Sequence, residues 1–318
     1  MAVYTQVSAE ALGGFLSGFD HGELVSVKGI AEGVENSNYL VDTTQGRFIL
    51  TLYEKRVSAG DLPFFLAMLD HLAGRGNPVP RALPDRAGTA IHQLEGRPAC
   101  LIEFLTGVSV SHPTAAQARS AGAAMGRMHG DLVDFPLVRA NSMGVETWRP
   151  LFDRCGRDLD GIVPGLYDRV GGALDQVLAA WPADLPVGTI HADLFPDNVL
   201  MRGDAVTGLI DFYFACTDIR AFDLAVMHSA WSFDAQGDPI DPAVGRALIR
   251  GYQQGFGLTA AERAALPQLA KGACIRFLLS RAWDWLNTPA DAMVTRKDPL
   301  AYLRRLQAYE AQGAACFA

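Results

Sequence analysis

The residues best suited to chemistry lie between Thr189 and Asp211, in the stretch TIHADLFPDNVLMRGDAVTGLID. His191-x-Asp193 is followed, after four intervening residues, by Asn198. Two short apolar runs around a Gly-Asp turn come next, and then Asp211. If those runs form a hairpin, the chain returns on itself and sets Asn198 and Asp211 close together, beside Asp193. Two converging oxygen ligands next to a third carboxylate suit a hard cation such as Mg²⁺. That ion takes one or two protein oxygens and fills its octahedron with phosphates and water. Asp193 is then free to accept a proton from a hydroxyl nucleophile. Taken singly, Asp and Asn in a loop make turns and caps. The signal lies in their combination at this spacing.

These residues need a frame to hold them. The first hundred residues read mostly as strands: Leu24–Ile30, Asn38–Thr43 and Arg47–Tyr53, the last two joined through Gln45-Gly46 as a hairpin. Asp61 is placed to cap a helix, LPFFLAMLDHLA, with Pro63 in its first turn, where the missing N–H costs nothing. Thr89–Gln93 and Ala99–Phe104 read as strands around Glu95-Gly96. Beyond Thr106-Gly107 the pattern turns helical, with Thr114–His129, Pro164–Trp181, Asp241–Phe256 and a long helix opened by the Thr259/Glu262 capping box. The short runs Val187–Ile190, Asn198–Met201 and Gly208–Ile210 interrupt it. The division expected is therefore a strand-rich lobe over residues 1–105 and a helical lobe over 106–318, with a ligand cleft between them.

Composition narrows the function classes. With 49% apolar and 19% charged residues, the chain has globular composition, which excludes disorder, collagen and coiled coil. At roughly 150 residues per domain, 318 residues make about two domains or lobes. The net charge of −8 argues against a nucleic-acid partner. No apolar run reaches the ~20 residues needed to span a bilayer. The start, MAVYTQVSAEALGGF, lacks the regions of a secretory signal. Cys100, Cys155, Cys216, Cys274 and Cys316 are odd in number and form no CxxC, so free thiols in a reducing cytoplasm are expected.

The HADLFPDN segment and the later Asp211 resemble the catalytic loop and metal-binding Asp of the protein-kinase-like phosphotransferases, in the H-G-D-x-x-x-x-N form of the aminoglycoside phosphotransferase and choline kinase branch. Ala192 stands where that branch often has Gly, and Phe212-Tyr213 where protein kinases have Phe-Gly. The resemblance implies an α+β, bilobal protein-kinase-like fold: a small antiparallel-sheet N-lobe and a larger helical C-lobe. It also implies Asp193 as catalytic base, Asn198 and Asp211 as Mg²⁺ ligands, and ATP as phosphoryl donor. His191 is expected to be scaffold, and Asp223 to open a helix and brace the loop. The hairpin Gly29–Asn38 occupies the place of the phosphate-covering loop, with Glu35, Asn36, Ser37 and Asn38 as donors. Glu103 to Leu105 occupies the adenine hinge.

Together, GIAEGVENSNYLV, FILTLYEKR, DLPFFLAMLDHL, HADLFPDNVL and GLIDFYFAC resemble the aminoglycoside-phosphotransferase-like type of homoserine kinase over nearly the whole chain. The implied reaction is transfer of the γ-phosphoryl of MgATP to the side-chain hydroxyl of L-homoserine, on the way to threonine. One departure from the superfamily is Thr51, which takes the place of a third-strand Lys or Arg. Lys28, Lys55 and Arg56 are the nearby cations. Arg276, Arg281, Asp284, Trp231 and Asp234 are raw material for an acceptor site. Choline would call for an aromatic cage, for which Trp231, Trp283 and Trp285 are raw material; inter-helix salt bridges are the ordinary reading of the two arginines, and core packing that of the tryptophans. The alternatives are another hydroxyl acceptor (choline, an aminoglycoside or methylthioribose) and a non-catalytic nucleotide-binding regulator. Neither a nucleic acid nor a membrane is an expected partner. The oligomeric state is not legible.

Overall fold

A computed structural model of the chain describes residues 4–30, 36–54, 57–288 and 296–318. Among these, residues up to Thr106 form one compact unit and those from Gly107 onward a second.

The first unit is an antiparallel sheet with helices. After α1 (Ala9–Leu16) come β1 (Leu24–Gly29), β2 (Asn36–Thr43), β3 (Gly46–Tyr53), α2 (Leu62–Gly74), β4 (Ala82–Leu83), β5 (His92–Leu94) and β6 (Arg97–Glu103). The order across the sheet is β1-β2-β3-β6-β4, with β5 also paired to β6. Glu95 and Gly96 both have positive φ, at 52° and 71°, the conformation that a two-residue hairpin turn requires. Alternate residues Tyr39 and Val41 of β2 pack with Leu50, Leu52, Ala99 and Leu101 against Leu12, Leu16 and Phe19. Helix α1 has no counterpart among the sequence expectations. Its Gly13-Gly14 pair lowers helix propensity, and burial of Leu12 and Leu16 on the sheet compensates. Asp61 ends a short 3₁₀ turn that Ser58 caps, so α2 continues from that turn.

The second unit contains α3 (Ala115–Asp131), α4 (Val145–Cys155), α5 (Leu166–Ala179), β7 (Val187–Ile190), β8 (Val199–Arg202), β9 (Ala205–Leu209), β10 (Cys216–Ile219), α6 (Arg220–Trp231), α7 (Pro242–Gly255), α8 (Ala260–Asn287) and α9 (Leu300–Gln312). Strand β7 pairs with β10, and β8 with β9, each antiparallel. Capping boxes start both α3 and α8. Helices α3 and α7 cross backbone to backbone. A Cβ added at Gly122 would meet the Leu248 carbonyl, one at Gly251 the Arg119 carbonyl, and one at Gly255 the Ala123 carbonyl. This close approach accounts for the small-residue composition of α3. Helix α6 is buried all round, with Ala221 through Trp231 inside. No described helix is long and apolar enough to cross a membrane.

Candidate active site

The loop between β7 and β8 carries Asp193 and Asn198. Strand β7 delivers His191, whose fully buried ring is fixed on both sides. Its Nδ1 accepts the Asp193 backbone N–H at 3.2 Å, so Nε2 carries the proton and donates to the Ile210 carbonyl at 3.0 Å. Burial holds its pKa below the ordinary histidine value, so the ring is neutral scaffold. Ala192 takes φ 65°, a left-handed conformation that is strained for any side chain. The Asp223 carboxylate stabilises it. Asp223 lies in the first turn of α6 and accepts the His191 N–H at 2.8 Å and the Ala192 N–H at 2.7 Å. His129 of α3 donates to it from Nε2 at 3.0 Å, and the other ring nitrogen of His129 meets the Tyr252 hydroxyl of α7 at 2.9 Å. Burial alone would raise the Asp223 pKa. His129, His191 and the loop N–H outweigh it, and the carboxyl ends below its ordinary value.

Asn198 closes the loop. Its Nδ2 donates to the Asp193 carbonyl at 2.8 Å and to Asp193 Oδ2 at 3.3 Å. That orients the amide and leaves Oδ1 as the oxygen it can offer to a cation. The β8–β9 hairpin turns at Gly203, with φ 60°, and brings the chain back so that the Ile210 N–H donates to the Asn198 carbonyl at 3.0 Å. Asp211 follows in a left-handed conformation at φ 64°, which Asp tolerates better than most residues. Phe212 anchors the next turn, buried with its ring centroid 4.5 Å from that of His191. Burial pushes the Asp193 carboxyl up to about 8. Arg276 opposes the rise, Asp211 and Asp197 add to it, and Lys297 opposes it. The three residues expected to do the chemistry thus share one neighbourhood. An Asn oxygen and a carboxylate beside the base form a donor set that fits Mg²⁺ sharing its shell with phosphate. Among the described residues no three His, Cys, Asp or Glu side chains are arranged to hold a metal by themselves.

On the nucleotide side the structure revises the sequence reading. Asn36, Ser37 and Asn38 belong to β2, not to a loop tip. The Ser37 hydroxyl donates to Glu54 Oε1 at 2.7 Å and accepts the N–H groups of Tyr4 and Thr5, so its proton is not available to a phosphate. Asn36 is buried, and its Oδ1 faces the Glu54 N–H at 3.4 Å. Asn38 Oδ1 accepts from the Thr51 hydroxyl at 2.8 Å, across the register that pairs these two residues. Glu35, Lys55 and Arg56 lie outside the described residues. Glu103 ends β6, and both its backbone N–H and its carboxylate are tied to Arg81. Leu105 lies just beyond the strand, half-buried.

One functional neighbour, His129, escaped sequence reasoning, and residues that it did name take other places. His129 is 94 residues from Asp223, and nothing local marks the pair. Arg276 forms no inter-helix salt bridge among the described residues. It is buried, and its Nη1 donates to the Ala192 carbonyl at 2.5 Å. Trp231 is fully buried and donates from Nε1 to the Leu194 carbonyl at 3.0 Å, which makes it a loop support. Trp283 and Trp285 stack with Arg154 and Arg296, so the three tryptophans build no cage for a quaternary ammonium.

The phosphotransferase enzyme family matches residues 26–266. A homoserine kinase of Methylorubrum populi is 54% identical over 96% of this chain and 95% of its own length. A homoserine kinase of Zymomonas mobilis is 52% identical over 97% of each. Among solved structures, an amicoumacin kinase in complex with AMP-PNP, Ca²⁺ and its antibiotic superposes with a TM-score of 0.73 over 98% of this chain and 96% of its own, at 15% identity. A spectinomycin phosphotransferase superposes with the same score over 98% of this chain and 100% of its own, at 13% identity. These neighbours establish the α+β kinase-like fold expected from the loop motif. With the HxDxxxxN loop in place and relatives alike from end to end, the chain belongs to the phosphotransferase enzyme family, and within it to the homoserine kinases.

Proposed function

We propose that this protein is a homoserine kinase, which transfers the γ-phosphoryl group of ATP to the side-chain hydroxyl of L-homoserine and yields ADP and O-phospho-L-homoserine. The single observation that carries the reading is the 54% identity to a homoserine kinase over 96% of the chain. The site supports it. Asn198 occupies Asp193 Oδ2, so Oδ1 is the oxygen left to orient the acceptor hydroxyl and take its proton as the new O–P bond forms and the bond to the ADP oxygen breaks. Asp193 is held for this by Asn198 from one side and, through the main chain, by Asp223 and Arg276 from the other. Asn198 Oδ1 and the Asp211 carboxylate would hold Mg²⁺, which when bound supplies charge neutralisation for the phosphates. Most of the catalysis is then positioning and electrostatics. For the adenine, Glu103 and Leu105 stay the hinge candidates through their backbone, with the Glu103 N–H already given to the Arg81 carbonyl. The five cysteines are unpaired and four are buried, which accords with a cytoplasmic enzyme.

The test is ADP release with MgATP across L-homoserine, L-serine, L-threonine, choline, methylthioribose and kanamycin, with Asp193→Asn as the blank. Selective turnover of L-homoserine is expected. Turnover confined to another acceptor keeps the chemistry and overturns the substrate. Nucleotide binding without turnover of any acceptor would instead favour a regulator.

A further inference from the structure

Three arginines of the second unit are linked through aromatic rings, Arg276 and Arg281 on α8 and Arg305 on α9, and only Arg276 already has a part in the site, as a support of the catalytic loop. All three direct their donors to backbone carbonyls. Arg276 donates to Ala192, Arg281 to Asp298 at 3.3 Å, and Arg305 to Ser229 at 2.8 Å and Asp234 at 2.7 Å. Among the described residues none of them has a carboxylate within ion-pair distance. Aromatic rings lie between them. Tyr302 has the Arg281 guanidinium 4.6 Å from its centroid and that of Arg305 at 4.4 Å. Tyr302 stacks on Phe277 at 5.0 Å, and Arg276 lies over Phe277 at 4.5 Å. Phe277 in turn meets Phe195 edge-on at 4.9 Å, and Phe195 is two residues past Asp193 in the catalytic loop. Cation–π contact offsets part of the cost of burying these charges but supplies no counter-ion.

The three are not equivalent. Arg276 and Arg305 are shut in, at 2% and 4% exposure, and each supports main chain. Arg281 is only partly covered. Burial and the neighbouring Arg305 act against its charge, while Tyr302, Asp193 and Asp298 favour it. Asp298 is already engaged by Arg304 at 3.2 Å and by the Leu300 N–H at 2.8 Å. A partly exposed guanidinium on a long helix, packed through aromatic rings onto the catalytic loop and with no carboxylate at ion-pair distance among the described residues, is a site for an anion.

We infer that Arg281 binds the α-carboxylate of the acceptor and so sets the specificity of the reaction for a hydroxy amino acid. The inference rests on the homoserine kinase reading and extends it to a residue. A guanidinium matches a carboxylate in a fork that no ammonium can fill. The same cluster of positive charge disfavours polycationic and quaternary-ammonium acceptors, which carry no group for Arg281 to pair with.

The experiment compares L-homoserine with 3-aminopropanol, which is homoserine without its carboxylate, in the wild type, Arg281→Met and Arg281→Lys. The wild type should favour homoserine in kcat/KM by roughly 10²-fold, as loss of a charged hydrogen-bonded contact implies. Arg281→Met should collapse that ratio to within about 3-fold, through KM for homoserine, while KM for MgATP moves less than about 2-fold. Arg281→Lys keeps the charge without the fork and should fall between. If Arg281→Met does not fold, as judged by circular dichroism, the lysine variant decides, with a drop of about 10-fold in the ratio expected. Wild-type enzyme that turns over homoserine no better than 3-aminopropanol overturns the inference. So does a variant that loses both acceptors in the same proportion. Absence of homoserine turnover by the wild type is a separate result: it defeats the functional reading, and the inference with it.

Discussion

The Asp223 carboxylate accepts the Ala192 N–H at 2.7 Å and holds Ala192 in a left-handed conformation, one residue before the proposed base. The direction in which Asp193 points is thus set by a buried charge on another element. Replacing Asp223 with Ala would leave two loop N–H groups and His129 without their acceptor. The expected cost is about 3 kcal/mol or more, within the range for breaking a buried pair. Asp223→Asn keeps one oxygen and faces an NH₂ toward an N–H. It should remain folded with reduced kcat, read by thermal unfolding beside steady-state kinetics.

Asp193→Asn should lose at least about 10²-fold in turnover, the usual scale for a general base. It should also make the protein more stable. The folded carboxyl is pushed up to about 8, while an unfolded Asp ionises near 3.8, so the native state binds more protons between those values. Wild-type stability from this group therefore falls as pH rises through that window. The gain from Asp193→Asn should be absent below pH ~4 and worth at least about 1.4 kcal/mol above pH ~8, each pKa unit being that large. Denaturant titrations of the metal-free protein at several pH values read it directly. Equal stability of the two proteins at all pH values would contradict the burial of this charge.

Ala192 offers a test of strain. Glycine adopts φ 65° without penalty, whereas an L-residue pays roughly 1–2 kcal/mol. Ala192→Gly should leave turnover within about 2-fold and raise stability by up to ~1 kcal/mol. Ala192→Val, β-branched and in the same conformation, should cost both stability and rate.

Asp211→Ala should lose activity by loosening the Mg²⁺–nucleotide complex. The expected signature is a raised Mg²⁺ requirement with the fold intact. Unchanged turnover with unchanged Mg²⁺ dependence would refute the ligand role.

Acid should weaken the protein through His228. This buried ring bonds the Tyr309 hydroxyl at 2.6 Å through Nδ1 and the Cys316 carbonyl at 3.2 Å through Nε2. Burial drives its pKa down to about 4, against 6.5 for the free side chain. Between those values the unfolded chain binds the extra proton, so stability present above pH 6.5 is lost as pH falls toward 4. His228→Gln should flatten that part of the stability profile. An unaltered slope would show that other groups govern it.

The catalytic loop was legible because its residues are local: eight consecutive positions and a short hairpin place Asp193, Asn198 and Asp211 together. The braces were not legible, because they are long-range. Arg276 bonds the loop directly, while His129 and, behind it, Tyr252 brace it through Asp223, from three helices at separations no spacing rule covers. Asp223 was read as a helix opener that supports the loop. It does support it, but both its oxygens serve the loop and neither caps the helix. The sequence reading began the strand at Asn38 and gave Asn36 and Ser37 to the phosphate-covering hairpin, whereas β2 begins at Asn36. Glu54 provides the buried partner that lets Asn36 and Ser37 extend β2. The sequence offered Arg276 and Arg281 as a pair. Both donate to main-chain carbonyls, and only the degree of burial separates Arg276, shut in against the catalytic loop, from Arg281, for which we infer an acceptor role.

The glycine crossing of α3 and α7 carries a genetic consequence. His129 and Tyr252 lie on those two helices, and no side chain at the crossing can yield to accommodate a shift. A substitution at Gly122, Gly126 or Gly251 that leaves the chain folded would wedge the helices apart and draw His129 away from Asp223. Such an allele would score as a loss of enzyme activity and be mistaken for a lesion in the catalytic loop, although the altered residue touches neither substrate nor any residue of the reaction.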